Sequence, residues 1–195
     1  TLLTQSGFEA NQREPRSELD VTTFDFAPFG NLEDKLAEKG FKIYDQPELE
    51  RKYPDWKRRI YDLEWIIVKD VPLPFPVRQV PFEDYVKGLD NPRILPNGSF
   101  FAIDESNGEW VGISTVKKVG ADNEAVSVGL TGVIPEYRRK GIATALKVRT
   151  VDFARQYGAK SIRTDNEENN PMYDLNMQLG FKPKPAIVNY QLKLE

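Results

Sequence analysis

From Ser99 onward the spacing of apolar residues alternates between a period of two and a period near four, and the order of those changes restricts the fold more than any other property of the sequence. Ser99-Phe100-Phe101-Ala102-Ile103 and the stretch from Trp110 to Val116 read as strands joined by Glu105-Ser106-Asn107-Gly108, whose Asn-Gly chemistry predicts an antiparallel hairpin. A third strand, Ala125 to Ile134, follows the turn residues Gly120-Ala121-Asp122-Asn123. A long helix comes next, with Ile142, Leu146, Phe153 and Tyr157 on its apolar stripe and Gly158 at its end. Lys160 to Thr164 reads as another strand, and Asn170-Pro171 as a cap followed by proline in the first helical position. That helix closes at Gly180, and Ala186 to Leu194 alternates as a final strand.

Upstream, Glu18 to Phe26 alternates and Gly40 to Tyr44 suits a short strand. Trp56, Ile60, Leu63 and Ile67 form one buried helical face, and that helix must stop before Pro72. Val71 to Pro81 is a proline-rich loop whose segment Val71 to Pro76 reads as extended backbone, and a short helix is predicted from Pro81 to Gly88. Helices, three strands, helix, strand, helix, strand make an α/β chain: a mixed central sheet with helices on both faces.

At 195 residues the chain holds one core of ordinary size, since single domains cluster at roughly 100 to 150 residues. The 27 basic and 30 acidic residues nearly cancel, which denies the chain the broad positive field of a nucleic-acid binder and makes any anion site local. No stretch approaches the roughly 20 apolar residues that span a bilayer, and the N-terminus lacks the regions of a signal peptide, so no membrane partner and a cytoplasmic location are expected. With neither cysteine nor histidine, thiol nucleophiles, Ser-His-Asp relays and Cys/His metal sites are excluded, and no metal is expected. Positioning and backbone donors acting on a reactive cosubstrate remain.

The segment best suited to such chemistry is Arg138-Arg139-Lys140-Gly141-Ile142-Ala143, between the third strand and the long helix. A helix N-terminus presents unpaired amides and roughly half a positive charge, so a pyrophosphate there gains directed hydrogen bonds. Gly141 and Ala143 leave the approach open, and the three cations add local charge. The alternative is a solvated basic turn that caps the helix. Neither G-x-G-x-x-G nor a P-loop is present.

Arg138-x-x-Gly141-x-Ala143 resembles the R/Q-x-x-G-x-G/A motif of the GNAT superfamily of acetyltransferases, and Gly129-Leu130-Thr131-Gly132-Val133 resembles that family's fourth strand. A second match, Asn169-x-Pro171-Met172 with Asn176-x-x-Leu179-Gly180-Phe181, is similar to the family's N-x-x-A-x-x-L-Y-x-x-x-G-F segment. The resemblance covers about Phe41 to Glu195 and is strongest from Gly129 to Phe181. It implies a mostly antiparallel sheet and acetyl-CoA, or another acyl-CoA, as cosubstrate, with a small-molecule or peptide amine as acceptor. By the same resemblance the backbone of Thr131, Gly132 and Val133 pairs with the pantetheine arm. The turn from Arg138 and Arg139 through Lys140, Gly141, Ile142 and Ala143 to Thr144 holds the pyrophosphate, and Asn169 contacts the cofactor.

Two departures bear on catalysis. Asn176 stands where many members have a tyrosine acid, with Tyr173 one turn earlier, and Ser127 stands where histone-type members have a glutamate base. Strand alternation would put Ser127, Gly129 and Thr131 on one face, so Thr131, Asn166, Tyr173 and Asn176 are the polar candidates at the reacting centre. Glu64, Asp70 and Asp165 could relay a proton through water, although Glu64 faces away from the Trp56 stripe, which favours solvent exposure. Phe75 would tip one wall of the acceptor pocket if the proline-rich loop is more than a spacer. A non-catalytic acyl-CoA-binding module and a protein-interaction domain are the rival classes.

Residues 1–30 read as an extension to a domain spanning 31–195. Leu3-Thr4-Gln5-Ser6-Gly7-Phe8 followed by an alternating stretch echoes Met177-Gln178-Leu179-Gly180-Phe181 followed by the last strand. With no initiator methionine, that echo suggests the remnant of a preceding acetyltransferase-like domain, similar to the two-domain mycothiol-synthase type.

Overall fold

The computed structural model describes residues 2–73, 76–120, 123–167 and 169–192. In chain order the elements are α1 (Leu2–Gln5), β1 (Glu9–Asp20), α2 (Leu32–Ala37), β2 (Phe41–Asp45), α3 (Gln46–Lys52), α4 (Trp56–Val68) and α5 (Phe82–Gly88). They continue with β3 (Phe100–Asp104), β4 (Glu109–Lys118), β5 (Ala125–Val133), α6 (Ile142–Gln156), β6 (Ser161–Asp165), α7 (Pro171–Gln178) and β7 (Lys182–Gln191). The strands form one sheet in the order β2-β3-β4-β5-β6-β1-β7. Every neighbouring pair is antiparallel except β5 and β6, which α6 connects as a crossover and which therefore run parallel. The expected mixed, mostly antiparallel sheet is the one observed.

The helices cover both faces. Ile67 of α4 packs over Gly132, and Ile142 and Leu146 of α6 pack over Gly112 on the opposite face. One core gathers Phe41, Leu63, Ile67, Phe101, Ile113 and Leu146. The other gathers Leu19, Val21, Val126, Val151, Ile162 and Phe181.

The main difference from the sequence reading lies at the N-terminus. β1 runs from Glu9 to Asp20, earlier and longer than the alternating stretch near Glu18 to Phe26. It needs little apolar alternation because both of its edges are paired, with β6 on one side and β7 on the other. β1 and the residues that follow it to Phe29 are thus bound into the sheet and its second core. The predicted continuation of the stretch is instead an aromatic knot: Phe24 meets Phe26 and Phe29, and the Arg155 guanidinium lies 4.5 Å above Phe26 while donating to the Val21 and Phe24 carbonyls.

Two short helices, α2 and α3, have no counterpart in the sequence reading. α3 carries a full capping box, with Asp45 accepting from the Glu48 amide at 2.8 Å and Glu48 accepting from the Asp45 amide at 2.8 Å. The final strand begins earlier than predicted, at Lys182. Its last residues beyond 192, the turn residues Ala121 and Asp122, and Phe75 lie outside the described residues.

Candidate active site

β5 and β6 stay paired only from Ala125↔Ser161 to Ser127↔Arg163, after which they diverge. The edge of β5 that faces β6 is left without a ladder partner, and a cleft opens there. It is lined by Val128 to Thr131 of β5, Thr164 and Asp165 of β6, Asn166, Lys147 of α6, Glu14 of β1, and Asn170 and Met172 at the start of α7. Val71, Pro72 and Leu73 close it on the α4 side. The proline-rich loop is held at both ends, by Gln12 Nε2 donating to the Pro72 carbonyl at 2.6 Å and by the Tyr61 hydroxyl donating to the Val80 carbonyl at 2.7 Å. The described start of this loop is therefore a wall of the cleft.

The divergence has a local cause. Ser114 pairs with Thr131 while Val116 pairs with Val128, so β5 carries one more residue than β4 across that interval. This bulge overturns the expectation that Ser127, Gly129 and Thr131 share a face. A Cβ on Gly129 would approach Thr115 Oγ1 and Lys117 Cε at 2.5 and 3.2 Å. Thr131 instead turns to the α6 side, where its Oγ1 is 2.9 Å from Ser114 Oγ, which is 3.0 Å from Thr150 Oγ1 of α6. Thr150 Oγ1 is also 2.8 Å from the Leu146 carbonyl, which can only accept. Thr150 therefore shares its proton between the Leu146 carbonyl and Ser114 Oγ, and either hydroxyl of the Ser114–Thr131 pair can be the donor.

At the start of α6, Gly141 is the N-cap with φ 87° and ψ 0°, and no side chain caps the helix. Arg139 also has a positive φ, 63°. The first helical bond runs from the Ala145 amide to the Gly141 carbonyl, so the amides of Ile142, Ala143 and Thr144 have no partner within the helix. The three cations differ in what they do. Arg138 is a strap, its Nε donating to the Val133 carbonyl at 2.9 Å and its Nη2 to Asp70 at 2.5 Å. Lys140 lies 4.5 Å above the Tyr137 ring. Arg139 is exposed. An uncapped, glycine-turned helix start beside an open strand edge fits a pyrophosphate with an extended arm.

The structure brings Thr131, Asn166 and Asn176 together and leaves Tyr173 out. Asn176 is fully buried and donates to Asn166 Oδ1 at 2.7 Å, while its own Oδ1 has no partner. Tyr173 is half-buried on α7 and is not among the residues lining the cleft. Asn169 is exposed and held by Glu167 through two 2.8 Å bonds, while Asn170 lines the cleft and caps α7. Asp70 is committed to Arg138, and Asp165 to Arg16 at 3.2 Å. Glu64 corrects the reading of its helix face. It is half-buried beside the Tyr85 hydroxyl of α5, which is itself buried and not in good hydrogen-bond geometry. Burial holds the Glu64 carboxyl above the usual carboxylate range, against the Tyr85 hydroxyl and the charge of Lys117, both of which lower it.

Lys147 went unremarked in the sequence, where it reads as one more polar residue of a helix. It lies on the buried face of α6 between Leu146 and Thr150, is 1% exposed, and is the only basic side chain lining the cleft among the described residues.

A family model described as the Acetyltransferase (GNAT) family matches residues 57–181. No curated protein matches. Among solved structures, the chain is similar to a tandem GNAT protein from the clavulanic acid biosynthesis pathway, with TM-score 0.67 and 19% identity over 96% of this chain and 56% of that one. It is also similar to a GCN5-related N-acetyltransferase from Sphaerobacter thermophilus, with TM-score 0.68 and 19% identity over 97% and 54% of the two chains. The ribosomal-protein-S18-alanine N-acetyltransferase from Escherichia coli aligns with TM-score 0.52 and 18% identity over 73% and 77%. The chain thus spans about half the length of the first two, and at these identities the likeness is one of fold. Among the described residues no helix is long and apolar enough to cross a membrane.

Proposed function

The chain belongs to the GNAT acetyltransferase family, and from that premise we propose that it moves an acyl group, acetyl in the first instance, from acyl-CoA to a primary amine by direct transfer. The observation that carries this reading is the continuity of the uncapped α6 start with the unpaired edge of β5. The amides of Ile142, Ala143 and Thr144, with Arg139 beside them, would hold the pyrophosphate. The β5 backbone from Val128 to Val133 would hold the extended arm. When bound, acyl-CoA supplies an activated carbonyl; the protein's part is to place it and to manage protons.

The acceptor side is acidic. Glu14, Asp165 and Glu167 line the cleft, which suits an acceptor that arrives as a cation. Such an amine must lose a proton before it can attack. Glu64 does not line the cleft but lies on α4 one turn from Ile67, which packs over Gly132 of β5. A water would therefore carry the proton to this carboxyl, which burial has made more basic than an exposed one. A positioned base of this kind contributes typically about 10²-fold to 10⁴-fold.

The direct test measures CoA thiol release from acetyl-CoA with a panel of primary amines, alongside the thermal shift that acetyl-CoA produces. Stabilisation and turnover with intersecting initial-rate patterns are expected. Ping-pong patterns would overturn direct transfer, and stabilisation without turnover on any amine would favour a non-catalytic acyl-CoA-binding module.

Glu64→Gln separates chemistry from stability. A carboxyl whose folded pKa lies above its ordinary 4.5 binds its proton more tightly when folded, so it erodes stability as pH rises from about 4.5 through the folded value. Removing it should raise the melting temperature at neutral pH and flatten the pH dependence in that window, while turnover falls about 100-fold. Melts from pH 4 to 8 and initial rates check both halves; unchanged turnover would remove Glu64 from the reaction.

A further inference from the structure

Transfer from a thioester leaves a second proton to account for, at sulfur. Few groups lining the cleft could supply it. Thr131 and Thr164 offer only aliphatic hydroxyls, far weaker acids than a thiol, Asn166 and Asn170 are amides, and Glu14, Asp165 and Glu167 are engaged as acceptors. Asn176, behind Asn166, cannot act as an acid.

Lys147 is the remaining group. A lysine 1% exposed in a helix core is costly unless a partner neutralises it, yet none of the carboxylates lining the cleft makes an ion pair or hydrogen bond with it. Glu14 bonds to Asn189, Asp165 pairs with Arg16, and Glu167 holds Asn169. Among the described residues the ammonium has only the Phe181 ring, 5.7 Å from Nζ. From α6 it lines the same cleft as the diverging segments of β5 and β6. A buried, unpartnered cation beside a cleft is matched to a ligand that develops negative charge there.

We propose that Lys147 is the catalytic acid that protonates the sulfur of the departing CoA. This rests on the cleft being the acyl-CoA site. The acceptor nitrogen forms its bond to the acyl carbon, the carbon–sulfur bond breaks with its electron pair on sulfur, and the Lys147 ammonium passes a proton to that sulfur, giving free CoA thiol. The proton shed by the acceptor nitrogen leaves through Glu64, and Lys147 regains one from solvent once CoA departs. Burial alone pulls the Lys147 pKa down to about 7, which makes it an effective donor to a thiolate at neutral pH.

The test uses the full chain and Lys147→Met, which keeps the apolar stem and removes the charge. Bound CoA is titrated by the ultraviolet absorbance of its thiolate, which needs no acceptor. In the native protein the thiol should titrate roughly one to three pH units below its free value because a cation faces it, and in Lys147→Met at or above the free value. Turnover with acetyl-CoA and the amine panel should fall about 10²-fold or more while KM for acetyl-CoA changes little, and the alkaline limb of the kcat profile should vanish. Misfolding has the opposite signature. A lysine whose pKa falls from 10.5 to about 7 on folding destabilises most at low pH and progressively less as pH rises across that range, so Lys147→Met should melt at a higher temperature, with a gain that shrinks above pH 7. Identical thiol titrations in the two proteins, with CoA still bound, would overturn the role of Lys147 alone. Absence of CoA binding to the native protein would overturn the acyl-CoA site and this proposal with it.

Discussion

Gly141→Val is expected to abolish the stabilisation that acetyl-CoA gives the protein. Space is not the reason, since a Cβ there would meet nothing closer than Leu32 Cδ1 at 3.7 Å. Conformation is. At φ 87° an L-residue costs roughly 1–2 kcal/mol, and a β-branched one more. Relief requires the peptide to rotate, and this is the peptide that starts α6 and aims its first free amides. The apo melting temperature should therefore drop by a few degrees, at roughly 2–4 °C per kcal/mol for a chain of this size. A ligand at a hundred times its Kd adds about 2.7 kcal/mol, and that increment should disappear altogether. Thermal melts with and without acetyl-CoA decide it; a full ligand shift in Gly141→Val would place the pyrophosphate elsewhere.

Gly132→Ala should damage both stability and turnover through α4. Its Cβ would stand 2.3 Å from Ile67 Cγ2, inside any permitted contact, and 3.4 Å from Ile67 Cβ. Cγ2 sits on a stiff, branched carbon in a residue 4% exposed, so the side chain cannot swing aside and the helix must move. Overpacking of this kind costs about 1–3 kcal/mol. Glu64 lies one turn before Ile67 on α4 and would be displaced with it. Adding Ile67→Ala makes room, so the double variant should be less destabilised than the sum of the two single changes, a coupling that denaturant melts can measure. A Gly132→Ala protein as stable and active as the native one would mean that α4 is not seated on β5 in this way.

Much of this was legible from residue spacing. Ile60, Leu63 and Ile67 are buried as their period requires, Asn170 caps α7 as its position before Pro171 suggests, and Gly141 opens α6. What escaped had physical reasons. β1 is polar, interrupted by Pro15, and fixed by pairing on both edges, so its partners and not its own alternation define it. The β5 bulge inserts one residue, and a count of two per repeat then assigns Thr131 to the wrong face. Glu64 looked solvated because helical periodicity marks only the face toward one core and says nothing of α5, whose Tyr85 covers it. Lys147 sits among Leu146, Thr150 and Val151 on the buried stripe, but a lysine is discounted when such stripes are drawn. The Asp45-x-x-Glu48 capping box that starts α3 is legible from spacing alone.

The position of β1 also governs how the chain can assemble. During synthesis β1 leaves the ribosome well ahead of β6 and β7, the two strands that flank it, and must wait for both. A waiting strand is a hazard if it is apolar, and β1 is protected by Glu9, Arg13, Glu14, Arg16, Glu18 and Asp20 along its length. Its pairings are the most distant in the chain, so closure is slow and comes late. β7 has no place to dock until β1 is seated. The cleft, bounded by β6 and by Glu14 of β1, is therefore among the last parts of the molecule to take shape.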